Sequence, residues 1–314
     1  FYFLTCFYFC VIEPKVKFFE LSVVKFVNNV VIIGTCAFTA FLLLSNLPWY
    51  LPSVGDGESV VPAFYLIVFA AIAFAVYSST SIKYVRILSL TTTWVFIALI
   101  VGMWAAAFVF GESEITAYFT NLGLIGGYFA NIDNFVLPIN EYHEFYLFWW
   151  FSWSIMIGQF TSRFVGGLKT YQVMLAMMVI PSIPIAAWFS VLYHYHSAGI
   201  PTEGITNLAM VCVGVVFVIN SLDSLIRLYT DNLNMTVERI GKGNYIALNI
   251  VALSLLTLLF KLDFLQIQWV GALVIAIFFS CFAFILSQKF KSVTAIKTSP
   301  KENKIDFTKI ENLN

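Results

Sequence analysis

Eight stretches of this chain are apolar over enough residues to cross a bilayer, and no stretch between them is long enough to fold alone in water. A spanning helix needs about 20 consecutive apolar residues. The runs at 27–47, 60–80, 88–110, 145–162, 171–193, 205–228, 245–260 and 264–287 meet that length, while a ninth at 1–12 is apolar but too short to cross by itself. The composition agrees: 314 residues are 60% hydrophobic and only 11% charged, against about 25% charged in a soluble domain. Disorder, collagen and coiled coil are excluded on the same grounds. The zero net charge implies no nucleic-acid partner; the implied partner is the lipid bilayer. Cys6, Cys10, Cys36, Cys212 and Cys281 all sit in apolar runs and read as small buried hydrophobes. The opening FYFLT lacks both the basic start and the cleavage site of a signal peptide, and a chain opening on Phe1 reads as a fragment.

Charge orders the loops. Placing Lys15, Lys17 and Lys25 inside also places inside Lys83 and Arg86, Arg163 and Lys169, Arg227, Arg239 and Lys242, and the lysines after Ser287; among the 17 basic residues only Lys261 then falls outside. Such a bias sets orientation, because positively charged loops stay on the cytoplasmic side. It predicts a cytoplasmic C-terminus. The outer loops are acidic, with Asp56, Glu58, Glu112, Glu114, Asp133, Glu141, Glu144 and Glu203. Segment 115–130, short and glycine-rich, is expected as an interfacial amphipathic helix on the outer face, and the tail 288–314 as polar and disordered.

The string FYLFWWFSWSIMIGQFTSR carries the most chemistry. Trp149 and Trp153 are one turn apart on a helix face, and Trp150 is three residues from Trp153. One reading is the interfacial aromatic belt or plain core. The other is an aromatic cage: Trp153 lies roughly 12 Å along the helix, deeper than a belt, and indole faces attract a quaternary ammonium by about 0.5–2 kcal/mol each.

The segment from Trp149 to Phe189 resembles the eighth and ninth helices of the betaine/choline/carnitine transporter family, in its Trp-Trp-x-x-Trp helix, the Arg163 at its inner end, and the Pro181-containing helix ending Trp188-Phe189. SIKYVRILS at 81–89 is similar to the link after the family's sixth helix, FVINSLDS at 217–224 to its tenth, and CVIEP at 10–14 to the end of its third. The resemblance implies an inverted five-helix-repeat transporter fold with an incomplete first repeat, lacking the family's helices one, two and four. Residues 1–110 would be that first repeat, 111–144 an outer loop, 145–287 a complete second repeat, and 288–314 the tail. Alternation of crossings conflicts with one detail: segment 1–12 should start inside, as the family's third helix does, yet also end inside beside Lys15.

The resemblance further implies a secondary transporter of quaternary-ammonium compounds, multi-pass in the cell membrane, working by alternating access. Trp149, Trp150 and Trp153 would bind substrate. Asn220 and Ser221 would offer oxygens to a coupling Na+, and the resemblance implies a homotrimer, an assembly that family members can form. The alternative is a truncated copy that inserts but does not transport. No enzyme activity is expected, since no Walker A motif and no nucleophile–base set occurs. Among other polar residues, Asp223 is expected to pair with Arg227 at i+4. Thr35 and Thr39 are expected to bond back to their own helix rather than line a second ion site. His194, His196 and His143 are expected in solvated outer loops. Pro181 and Pro184 should kink their span.

Overall fold

A computed structural model describes residues 2–110 and 114–296. Among these residues every regular element is a helix. In hydrocarbon the backbone must satisfy its polar groups within the segment, and a helix does so locally. Seven helices among the described residues are long and apolar enough to cross a membrane: α3 (Ser22–Tyr50), α4 (Pro62–Ser79), α5 (Ile82–Phe110), the interrupted helix Thr170–Ser197, α11 (Ile205–Asn232), α13 (Lys242–Lys261) and α14 (Ile267–Phe284) with its extension to Thr294. The short α1 (Tyr2–Phe7) and α2 (Glu13–Val16) precede α3, α6 (Ile115–Gly123) and α7 (Ile125–Ala130) follow α5, and α12 (Val237–Ile240) precedes α13.

The eighth expected span, α8 (Glu141–Ser162), has 22 residues, about 33 Å of helix. It falls short on hydropathy, not length, because serines, Gln159 and amphipathic rings fill it. Its start is set by Asn140, whose Oδ1 accepts the His143 N–H at 2.7 Å. Other boundaries have equally local causes. Pro62 stands at the first position of α4, and Gly241, at φ 82°, turns the chain into α13.

The span expected at 171–193 is broken as its prolines require. α9 (Thr170–Met174) runs into a π-turn at Leu175–Val179, and α10 (Ser182–Ser197) begins after Pro181. Pro181 has no N–H to give, and Ser182 Oγ donates to the Met178 carbonyl at 2.5 Å. At the other end of the chain, helix persists past the expected boundary: a π-turn at Ile285–Lys289 leads into α15 (Phe290–Thr294). Residues 297–314 of the expected tail lie outside the described residues.

α3 is the hub, packed against α4, α8, α11, α13 and α14. The main core forms around its Ile32, Cys36, Phe38, Leu44 and Leu47, with Phe64 and Ile72 of α4, Leu222 and Ile226 of α11, and Tyr245 and Phe260 of α13. A second core joins α5, α6, α10 and α11 through Leu99, Met103, Tyr118, Val191 and Tyr195. Segment 115–130 is therefore two short helices, the first of which docks on α10.

The conflict over segment 1–12 is resolved by its direction. The Tyr2 ring lies 6.2 Å from that of Trp150, Thr5 Oγ1 donates to the Ser154 carbonyl at 2.7 Å, and Glu13 shares a cavity with Gln159 and Arg163. The segment thus runs parallel to α8. From Tyr2, beside α8's midpart, it runs toward the end where the basic residues gather. This is opposite to the direction implied by the resemblance to the family's third helix.

Candidate functional site

The helical period decides where the indoles of α8 point. Residues 149 and 153 lie about 40° apart on the wheel, while 150 lies about 100° from 149. Trp149 and Trp153 turn inward and pack on the main core. Their ring centroids are 6.3 Å apart and the planes cross at 89°. Trp150 is 49% exposed and stands beside Tyr2, although its ring also touches Trp149 at 5.2 Å. The structure therefore brings two of the three indoles together facing α3 and α11, with Tyr146 edge-on to Trp149 at 5.9 Å.

Both inward indoles keep a buried Nε1–H without a hydrogen-bond partner. Leaving a buried donor unmet costs about 1–3 kcal/mol. The neighbouring serines bond to the backbone instead: Ser152 Oγ donates to the Trp149 carbonyl at 2.6 Å and Ser154 Oγ to that of Phe151 at 2.7 Å. Two perpendicular π-faces with two unmet N–H donors can hold a cation against the faces and donate hydrogen bonds to an oxygen.

Further along α8, at its basic end, a polar cavity of about 350 Å³ opens between Glu13, Lys25, Asn28, Gln159 and Arg163. Asn28 Nδ2 donates to Gln159 Oε1 at 3.0 Å. The Glu13 carboxylate accepts from Tyr8 Oη at 2.7 Å and from the Phe19 N–H at 2.7 Å; burial nevertheless pushes its carboxyl above the ordinary range. A second cavity, also of about 350 Å³, is apolar and lies between α5 and α11, along Leu99, Gly102, Ala209 and Val213. Neither cavity is lined by Trp149 or Trp153.

The polar residues of α11 separate. Asn220 Oδ1 accepts from Ser89 Oγ of α5 at 2.9 Å, and Ser221 lies half-buried beside it. Asp223 does not pair with Arg227, contrary to the sequence expectation. It is fully buried and receives Ser78 Oγ at 2.6 Å and Ser224 Oγ at 3.1 Å. Arg227 instead meets Asp231 at 3.4 Å, also one turn away, and Arg163 of α8 reaches the same carboxylate at 3.0 Å. Arg163 also donates to Asn232 Oδ1 at 3.0 Å. One carboxylate thus serves two guanidiniums and ties α8 to α11.

Thr35 and Thr39 donate to the carbonyls of Val31 and Thr35 at 2.9 and 2.8 Å, the back-bonding the sequence predicts. The histidines depart from expectation. His194 is buried, 2% exposed, between Phe108 and Tyr118, with Asn121 Nδ2 at 3.2 Å from its Nδ1. Docking of α6 on α10 buries it, which an outer-loop reading could not foresee. His143 is half-buried at the α8 cap and accepts the Ile139 N–H at 3.2 Å. His196 is exposed, as expected. Asp231, Asn28 and Gln159 were not singled out by sequence; only the i+4 spacing of Arg227 and Asp231 could have flagged one of them.

The sequence is 27% identical over 95 residues to Glycine betaine transporter 1 of Vibrio parahaemolyticus serotype O3:K6 (strain RIMD 2210633). The match covers 30% of this chain and 18% of that protein's length. No family model matches the sequence. No solved structure matches either. The seven apolar helices among the described residues support a multi-pass membrane protein.

Proposed function

We propose that the chain is a secondary transporter of quaternary-ammonium solutes of the betaine, choline or carnitine type, built on an inverted repeat. The observation that carries the reading is the inward-turned pair Trp149 and Trp153, with perpendicular faces and unmet N–H groups. A trimethylammonium has no N–H to donate, so aromatic faces are its natural contact. A carboxylate on the same solute would suit the two indole donors. The similarity to a glycine betaine transporter supports the same substrate class. Alternating access would rock one bundle against the other around this site, in the cell membrane with the basic loops inside. Trp150, being half exposed, would serve the solute less than its neighbours.

Sodium coupling belongs to the same proposal. Asn220 and Ser221 would supply oxygens to the ion, with Ser89 beside Asn220, since hard cations take oxygen ligands. A homotrimer is the assembly proposed with it.

Uptake of radiolabelled betaine, choline and carnitine into vesicles bearing the protein, with and without a sodium gradient, tests the reading. Saturable uptake of at least one, stimulated by sodium, is expected. A second reading, a relative that inserts but does not transport, is favoured by one observation. Thr5 of α1 lies hard against Gly158 of α8, where a moving helix needs clearance. Normal membrane insertion with no uptake of any of the three would select it.

A further inference from the structure

Two of the five cysteines come together, and a third sulfur joins them. Cys6 and Cys10 stand four residues apart in the opening segment, a spacing that makes side chains neighbours on a helix, and their thiols interact. Cys6 is 0% exposed and forms a small cluster with Val165 and Val173. Cys10 and Met177, both half-buried, pack on that cluster. The other cysteines lie elsewhere. Cys36 is in the main core, Cys281 donates to Tyr8 Oη at 3.2 Å, and Cys212 is exposed.

The backbone carries two of these sulfurs in the same unusual way. Cys10 lies in a π-turn at Tyr8–Ile12 and Met177 in the π-turn at Leu175–Val179. Each stands four residues before a proline, Pro14 or Pro181, whose ring and missing N–H disturb the helix at that position. Such turns recur at functional sites. Among the described residues no group of three or more His, Cys, Asp or Glu gathers, so a hard or borderline metal finds no ligand set there. Two thiols and a thioether offer a different chemistry, because soft sulfur ligands select Cu(I). We propose that Cys6, Cys10 and Met177 form a binding site for a soft monovalent cation, Cu(I) or its analogue Ag(I), which ties α1 to the interrupted helix Thr170–Ser197. The thiols release their protons to water as the ion binds, the thioether binds without losing one, and the ion keeps its oxidation state. The ion offsets the charge of one thiolate, and the basic Arg163 and Lys169 flank Val165 in the chain. With the basic loops inside, the thiols face a reducing compartment. The site shares no residue with the inward indole pair and does not depend on which solute is carried.

Transfer of Cu(I) from bathocuproine disulfonate to the purified, reduced full chain in lipid, without oxygen, tests this, with X-ray absorption at the copper edge counting the sulfurs. The parent should take one Cu(I) per chain and hold it by three sulfurs. Cys10→Ser, a replacement of similar size at a half-buried position, should take none under the same conditions, while Cys212→Ser should match the parent. Met177→Leu preserves volume; it should hold the ion more weakly and by two sulfurs. Excess Zn(II) should leave the Cu(I) in place. No transfer to the parent, undiminished transfer to Cys10→Ser, an unchanged sulfur count in Met177→Leu, or displacement by Zn(II) overturns the proposal.

Discussion

A single carboxylate, Asp231, neutralises Arg163 from α8 and Arg227 from its own helix, each at about one-fifth exposure. At that burial the pair is worth more than a surface bridge, about 0–1 kcal/mol, and less than a fully buried one, where removing a partner costs about 3–5 kcal/mol. Asp231→Ala should therefore destabilise by about 2 kcal/mol, because it strands two guanidiniums. Arg227→Ala should cost less, because Asp231 keeps Arg163. Denaturant unfolding in detergent measures both, and equal costs would show that the two arginines are not sharing one acid. The sequence alone could not make this assignment. Asp223 and Asp231 flank Arg227 at the same four-residue spacing, and only the arrival of Arg163 from another helix favours Asp231. The buried His194 was hidden for the same reason, since its cover comes from α6, more than seventy residues upstream in a segment expected to lie at the membrane interface.

Helix boundaries, by contrast, were legible wherever the cause was local. Pro62, Pro181 and Gly241 punctuate helices as their backbone chemistry demands, and the long apolar runs became the long helices. What periodicity could not tell was the direction of the short first segment, which is set by a close approach between α1 and α8. A Cβ on Gly158 would lie 2.6 Å from Thr5 Cβ and 2.7 Å from its carbonyl carbon. Since part of the obstruction is backbone, rotation of a side chain cannot relieve it. Gly158→Ala should cost about 1–3 kcal/mol and loosen α1. Cys6, 0% exposed and packed with Val165 and Val173, reports the loosening: in a background keeping only that cysteine, maleimide should label it slowly in the parent and several-fold faster in Gly158→Ala. Equal labelling would mean that α1 is not held there.

At the scale of the molecule, α3 gathers five helices around one core while α8 carries the aromatic and charged groups along one side. The sequence placed the three tryptophans on one arc; packing divides them, because the contact with α3 and α11 covers only part of that arc and leaves Trp150 beside Tyr2. This division is what makes the proposed substrate role testable. The decisive measurement is equilibrium binding of glycine betaine to the purified chain and to two variants, Trp153→Leu and Trp150→Leu. Losing one cation–π face of about 1–2 kcal/mol should weaken binding about tenfold in Trp153→Leu and leave Trp150→Leu within about twofold of the parent. Equal affinity in Trp153→Leu and the parent, or a loss confined to Trp150→Leu, would contradict a site formed by the inward pair.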